Sequence, residues 1–290
     1  MSDVEGQAES RLDNLQNIEP LLASLRILSL STLQMAGNRK TYLNTYKQNF
    51  FQILAYLNQH TGRKPFMNTA LRQDQQGKAL LVVLGSDRGM CGTYNKTLAV
   101  QALSWLETQV FPTMVLSFGT RLSSSMRQSG IRFQDGGSLS SGSLPDYRKA
   151  HEFVMGWLEG LTDRTIRSVE ILAFRKRPRG TFKSRIERLI PQEIDASQTK
   201  STVEWPEPII EGNPQRMINF AYNHLTSLVF QEIILESIEA ENSIRYNLLE
   251  EAKDNIEELV ESLTLVVQAE RRQAITEQIQ ELATSAGLYK

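Results

Sequence analysis

The chain has 290 residues, enough for one or two domains with a sizeable core. Its 32 lysines and arginines nearly balance 33 aspartates and glutamates, and the net charge of −1 excludes a strong general attraction to nucleic acid or anionic lipid. A single cysteine, Cys91, excludes an internal disulfide and any paired-cysteine metal or redox site, and points to a reducing cytoplasm.

The opening, Met1 to Ser10, is acidic and polar, without the basic and apolar regions of a signal or transit peptide. Almost no glycine occurs in the first 60 residues, and apolar positions recur at helical spacing. Ser10 to Asp13 reads as a capping box, after which Leu15, Ile18, Leu22 and Leu25 follow at intervals of three and four. Leu43, Tyr46, Phe50, Ile53 and Leu57 continue the stripe until Thr61-Gly62. Pro20 predicts a kink or a fresh first turn within it.

From Lys78 to about Trp205 short apolar runs alternate with glycine, serine and proline. Ala79–Leu84, Thr113–Phe118 and Arg167–Phe174 read as strands, and Lys96–Thr108 and Pro145–Gly160 as helices, the alternation of a parallel or mixed sheet. DGGSLSSGS (135–143) reads as a surface loop. RKRPRG (175–180) has the composition of a nucleic-acid patch, but in a chain of this charge it reads as a solvated hairpin turn.

Between the first strand and the next helix stands GSDRGMCGTYN (85–95), a turn of the kind that can aim backbone N–H groups at a phosphate. A P-loop needs a lysine before its Ser/Thr, which is missing, and glycines at 85, 89 and 92 do not have the G-x-G-x-x-G spacing. Gly85, Asp87, Arg88, Gly89 and Gly92 therefore read as a structural turn, with no cofactor expected. Cys91 beside them reads as a small packing residue rather than a nucleophile. His60, His151 and His224 are far apart in sequence and in different elements, which argues against a metal site.

After Glu211-Gly212 the chain turns helical again, with Asn213 as N-cap and Pro214 in the first turn, and no further Gly or Pro until Gly287. A continuous helix over that span is ~110 Å long at ~1.5 Å per residue. Leu249, Ala252, Ile256, Leu259, Leu263 and Val266 repeat at 3, 4, 3, 4, 3, the seam of a left-handed coiled coil. The expected organisation is an N-terminal coiled-coil helix (1–62), an α/β domain (63–212) and a long C-terminal helix (213–290) that zips onto the first. A helix of that length needs a partner that surrounds it.

Residues 263–277, LTLVVQAERRQAITE, resemble the LTLxxNxxRQAxIT signature of the γ subunit of rotary F-type ATP synthases. Residues 86–95 are similar to that family's SDRGLCGGxN, with Met90 for leucine and Thr93-Tyr94 in place of a glycine and a variable residue. The resemblance covers essentially the whole chain. It implies an antiparallel coiled coil of the two terminal helices with an inserted Rossmann-like α/β domain, serving as the rotor shaft of the central stalk. The implied partners are the α and β subunits of the ring, the ε subunit and the c-subunit ring, at the cytoplasmic face of a bacterial energy-transducing membrane. It also implies that Arg26, Arg271, Arg272, Thr276 and Glu277 contact the β ring, and that Ile279, Leu282 and Leu288 form an apical bearing. By itself the chain is then no enzyme. Read without the family, the same charged residues are simply the solvated face of a helix.

The sequence departs from the family in places. Where AMKMVAASKLRRA is usual, residues 24–36 read SLRILSLSTLQMA, so Arg26 keeps one charge while Thr32, Gln34 and Met35 replace others. Gln268 replaces an asparagine, and Arg272-Gln273 stand where Gln-Ala is usual. These departures fit a divergent or alternate-type γ, or a γ-like paralogue acting as a structural or inhibitory partner of an ATPase ring. The regulatory insertion of chloroplast γ subunits is not found. The coupling ion and the direction of the reaction are set by other subunits and leave no mark here.

Overall fold

The computed structural model describes residues 2–61, 77–139, 144–177, 180–191 and 210–285, with side chains of the first helix described from residue 7 to 57. The chain divides into two compact units, Met1–Leu30 with Arg245–Lys290, and Ser31–Ile244.

The helix α1 runs Ser2–Thr61 and α5 runs Pro214–Ser285. Ser10 lies inside α1 rather than at its start, because the residues before it are already helical. Pro20 also lies within α1, where Ser24 Oγ donates to the Pro20 carbonyl at 2.8 Å. As expected, Asn213 caps α5: its Oδ1 accepts from the Gln215 N–H at 2.9 Å and the Arg216 N–H at 3.4 Å.

Between them lie β1 (Lys78–Leu84), α2 (Tyr94–Glu107), β2 (Thr113–Phe118), α3 (Thr120–Gln128), β3 (Gln134–Asp135), α4 (Tyr147–Thr162), β4 (Ile166–Lys176) and β5 (Phe182–Ile190). The sheet order is β3-β2-β1-β4-β5. The first four strands in that order are parallel, and β5 returns antiparallel to β4. The sequence reading omitted α3, β3 and β5: α3 is rich in serine, β3 has two residues, and β5 alternates charged with apolar positions. The basic segment is a hairpin turn, with the Gly180 N–H donating to the Arg177 carbonyl at 2.9 Å. Its Pro178 and Arg179 lie outside the described residues, as do 140–143 of the expected surface loop.

Because side chains alternate across a sheet, β1 and β4 feed two cores. Leu80, Val82, Val169 and Ile171 pack on one face with α4 and with Phe230, Ile233, Ile234 and Ile238 of α5. Leu81, Val83 and Leu172 pack on the other with Leu98 and Ala102 of α2, and with Leu122 and Met126 of α3. A third cluster joins α1 to α5 through Leu54, Leu57, Ile218, Ala221 and Leu225. Above it, Lys47 reaches Glu232, and Lys40 reaches Glu239 at 2.8 Å and Glu236 at 3.5 Å. Partners descend in number on α5 as they rise on α1, so the helices run antiparallel.

The other unit consists of the ends of the same two helices, again antiparallel. Arg26 Nη1 donates to Glu250 Oε2 at 2.7 Å, and Arg271 Nε to Glu9 Oε1 at 3.2 Å. The fold is thus α/β: a mixed sheet with a long helix at each terminus.

Candidate functional site

The glycine loop follows β1 at the point where strand order reverses, since β2 and β4 flank β1. In open parallel sheets this crevice is where ligands bind. Here α5 fills it. Its residues 230–238 belong to one core and Ala240 and Ile244 to the other, so the helix crosses the carboxyl edge of the sheet. Ser237 Oγ lies 2.8 Å from the Tyr94 hydroxyl and donates to the Leu84 carbonyl at 3.4 Å. A cavity of ≈ 20 Å³ remains, lined by Leu84, Gly85, Phe118, Ile234 and Ser237 among others. Ligand pockets are about 300–1,000 Å³, so this one holds roughly a single water.

Three backbone donors around the loop are satisfied by the loop's own acceptors. Asp87 Oδ1 accepts from the Thr120 N–H at 3.1 Å, placing a carboxylate at the N-terminus of α3 where a phosphate would otherwise sit. The Ser86 N–H donates to Asn95 Oδ1 at 3.0 Å, and the Arg121 N–H to the Ser86 carbonyl at 3.0 Å. Close packing explains two glycines. A Cβ on Gly85 would lie 2.3 Å from the Cβ of Leu122; one on Gly119, at φ +106, would lie 2.8 Å from the Gly85 backbone. Gly89 and Arg88 lie on the outer part of this turn, and Gly92 has φ +54. Cys91 is buried, its Sγ 3.4 Å from Ser86 Oγ.

Two histidines expected to stand apart come together. His151 of α4 and His224 of α5 stack with centroids 5.0 Å apart at 10°. Helix periodicity cannot reveal a pair made by two helices 70 residues apart in the chain; the sheet between them in sequence brings them together. Ser227 Oγ donates to the Asn223 carbonyl at 2.9 Å, so His151 Nδ1 is the donor in its 3.0 Å bond to that oxygen. His224 Nδ1 lies 2.7 Å from the Tyr147 hydroxyl. Burial, with the neighbouring His151, holds the His224 pKa below its ordinary value, and burial pushes Tyr147 up. His224 is thus neutral at pH 7 and accepts from Tyr147. No cluster of three or more metal-ligating side chains occurs among the described residues, and the side chain of His60 lies outside them.

On the terminal helices, Leu15, Leu22 and Leu25 are half-buried while Ile18 is 43 % exposed. Glu19 takes the less exposed place beside it. On α5, Leu249, Ala252, Ile256 and Leu263 face inward, but Leu259 is 50 % exposed and Val266 also points out. Val260 and Val267 take their places, the latter 5 % exposed. The less exposed positions include 249, 252, 253, 256, 260, 263, 264 and 267: Leu249, Ala252, Ile256 and Leu263 agree with the sequence reading, and the next residue stands in place of Leu259 and Val266. Lys253 occupies one such place, which is why an apolar stripe misses it.

Arg26 and Arg271 are engaged within the chain, as described above. Arg272, Thr276 and Glu277 are exposed; Thr276 donates to the Arg272 carbonyl at 2.7 Å, and Gln273 to Glu277 Oε1 at 3.1 Å. Ile279 and Leu282 are exposed, and Leu288 lies outside the described residues. Among the described residues no helix is long and apolar enough to cross a membrane.

A filled ligand crevice and two long antiparallel terminal helices define a fold class, a mixed α/β sheet with a long helix at each terminus. A family model described as ATP synthase matches residues 6–287. The chain is 24% identical over 288 residues to the ATP synthase gamma chain of Stenotrophomonas maltophilia, and 21% identical over 281 residues to that of Parabacteroides distasonis, covering 97% and 96% of both chains respectively. Among solved structures it is similar to a chain of the Euglena gracilis mitochondrial ATP synthase in its OSCP/F1/c-ring assembly, with TM-score 0.67, 14% identity, and 99% and 95% of the two chains covered. It is also similar to a chain of the Tetrahymena thermophila central stalk and c-ring, with TM-score 0.54, 13% identity, and 80% and 99% covered. The chain belongs to the family of ATP synthase gamma chains.

Proposed function

We propose that this chain is the central-stalk rotor subunit of an F-type ATP synthase, coupling ion flow through a membrane ring to ATP synthesis or hydrolysis in a ring of α and β subunits. It carries no catalytic group of its own in this reading. A single asymmetric shaft cannot touch three β subunits alike, so it biases each toward a different nucleotide-binding conformation, and turning it exchanges those biases. The partners are the α and β subunits, ε and the c-ring, at the cytoplasmic face of a bacterial energy-transducing membrane.

The observation that supports this most is the surplus of apolar surface on the paired helices. Leu21, Ile27, Leu28, Leu265, Ile275, Ile279 and Leu282 are exposed at positions away from the seam. Surface of that kind marks a partner that encloses it. Arg272, Thr276 and Glu277 are assigned the polar contacts with β, while Arg26 and Arg271 brace the helix pair and can exchange partners, since ion pairs near solvent contribute little.

Co-expression with α and β subunits, followed by sizing and an ATPase assay, tests the reading. A stoichiometric complex whose ATPase activity depends on this chain is expected. A free chain, or a ring that binds it and falls silent, makes it instead a structural or inhibitory paralogue. Within a working complex, Arg272→Ala should lower coupled ATP synthesis more than Arg271→Ala. Equal effects would return Arg271 to the contact surface.

A further inference from the structure

The stalk reading leaves unused the basic hairpin. Residues 175–188 hold seven arginines and lysines and one glutamate in a chain of net charge −1. Arg175 is committed to Glu236 at 3.0 Å and to Glu187 at 3.3 Å, and Arg188 to Glu170 at 3.3 Å. Lys176 and Lys183 form no ion pair among the described residues, and Arg185, its side chain 72% exposed, pairs with Glu187 at 3.4 Å.

These cations lie on or beside β5, an edge strand among the described residues. β5 ends the sheet, paired on one side with β4 and on the other with no strand among the described residues. Half of its backbone N–H and C=O groups therefore point outward. A groove of ≈ 460 Å³ runs beside it, lined by Gln101, Lys176, Lys183, Ser184 and Ile186 among others. The Oε1 of Gln101 is buried there without a hydrogen-bond partner.

Charged side chains commonly guard a sheet edge against self-pairing. Here the guard has a sign: it repels a second copy of this chain and attracts a strand of opposite charge. We propose that the β5 edge binds an extended acidic polypeptide segment of an assembly partner, added as a sixth strand. Backbone bonds to β5 supply affinity, the hairpin cations pair with its carboxylates, and Gln101 takes a donor from the same segment. A flat bilayer does not reach the strand's backbone, which a polypeptide segment can pair with. The inference goes beyond the rotor reading and does not depend on it, because it is tested on the full chain alone.

The probe is a short fluorescent peptide of alternating glutamate and valine, compared with one of equal charge in which prolines replace alternate valines. Fluorescence anisotropy should show salt-sensitive binding of the first only, with hydrogen-exchange protection confined to β5. The variant K183E/R185E should bind about tenfold more weakly with unchanged melting temperature. If it melts early, R185Q is the substitute and should weaken binding less but in the same direction. Equal binding of the proline peptide, unprotected β5 amides, undiminished binding by the variants, or preferential binding of phosphatidylglycerol vesicles or inorganic triphosphate would each overturn the proposal.

Discussion

The two units of the chain hold themselves together in different ways. In Ser31–Ile244 a sheet is covered on both faces, and α1 and α5 add a third apolar cluster. In the unit of Met1–Leu30 and Arg245–Lys290, Ala8, Leu249 and Val267 are the buried apolar side chains among the described residues, and none is completely so. Two helices can bury only one stripe each, so most of their surface stays open. Exposed apolar side chains occur in both units, such as Tyr42, Val110 and Phe220 in the first and Leu21, Leu265 and Leu282 in the second, but only the first has cores of many buried side chains. The two units therefore differ in how much apolar surface the chain buries for itself, not in whether any is left exposed.

That contrast can be broken most directly in the cores. Leu81→Ala, at a fully buried position between sheet and helices, should cost about 3–4 kcal/mol in urea unfolding of the whole chain. Val267→Ala, in the thin seam, should cost about 1 kcal/mol and leave the near-ultraviolet signal of the α/β unit unchanged. Equal costs would mean that the terminal helices are as tightly packed as the sheet. A smaller effect separates the filled crevice from ordinary packing. Tyr94→Phe removes the hydroxyl that meets Ser237 and should cost about 1 kcal/mol, because Ser237 retains the Leu84 carbonyl. A loss comparable with that of Leu81→Ala would show a wider network there.

The smallest effect is the dependence on pH. The folded pKa of His224 lies below its ordinary 6.5, so on acidification the unfolded chain takes up a proton first. Stability from the neutral ring is full above about pH 6.5 and declines as pH falls toward the folded value. His224→Phe keeps the edge-on ring contact with Phe220 and the tilted one with Phe50 but removes the titration. The fall in melting temperature between about pH 7.5 and about pH 5.5 should shrink in this variant. An unchanged fall would assign the acid sensitivity elsewhere.

Much of the fold was legible because its long elements carry strong periodicity. β1, β2 and β4 are runs of apolar residues, and Asn213-Pro214 opens α5 in the expected way. On α5 the seam was legible at Leu249, Ala252, Ile256 and Leu263 and missed at Leu259 and Val266. Polar residues such as Glu19 and Lys253 occupy inward places, while exposed Ile18, Leu259 and Val266 mimic a stripe. On helices that await a partner, apolar character no longer reports which side is buried in the chain itself. Arg26 and Arg271 show the same ambiguity for charge: the residue type announces a contact, and whether that contact is internal depends on register. The histidine pair and the filled crevice were hidden for another reason, since both are made by elements distant in sequence.

The crossing of α5 over the sheet edge has a mechanical consequence. A helix that merely lies on a surface can roll about its axis when twisted. α5 is gripped on two sides of an edge, by Ile233, Ile234 and Ile238 in one core and by Ala240 and Ile244 in the other, with Ser237 bonded to the backbone of β1 between them. Rolling would pull apolar side chains from both cores at once. Torque applied to this stretch therefore passes into the sheet with little backlash, as through a key seated in its slot.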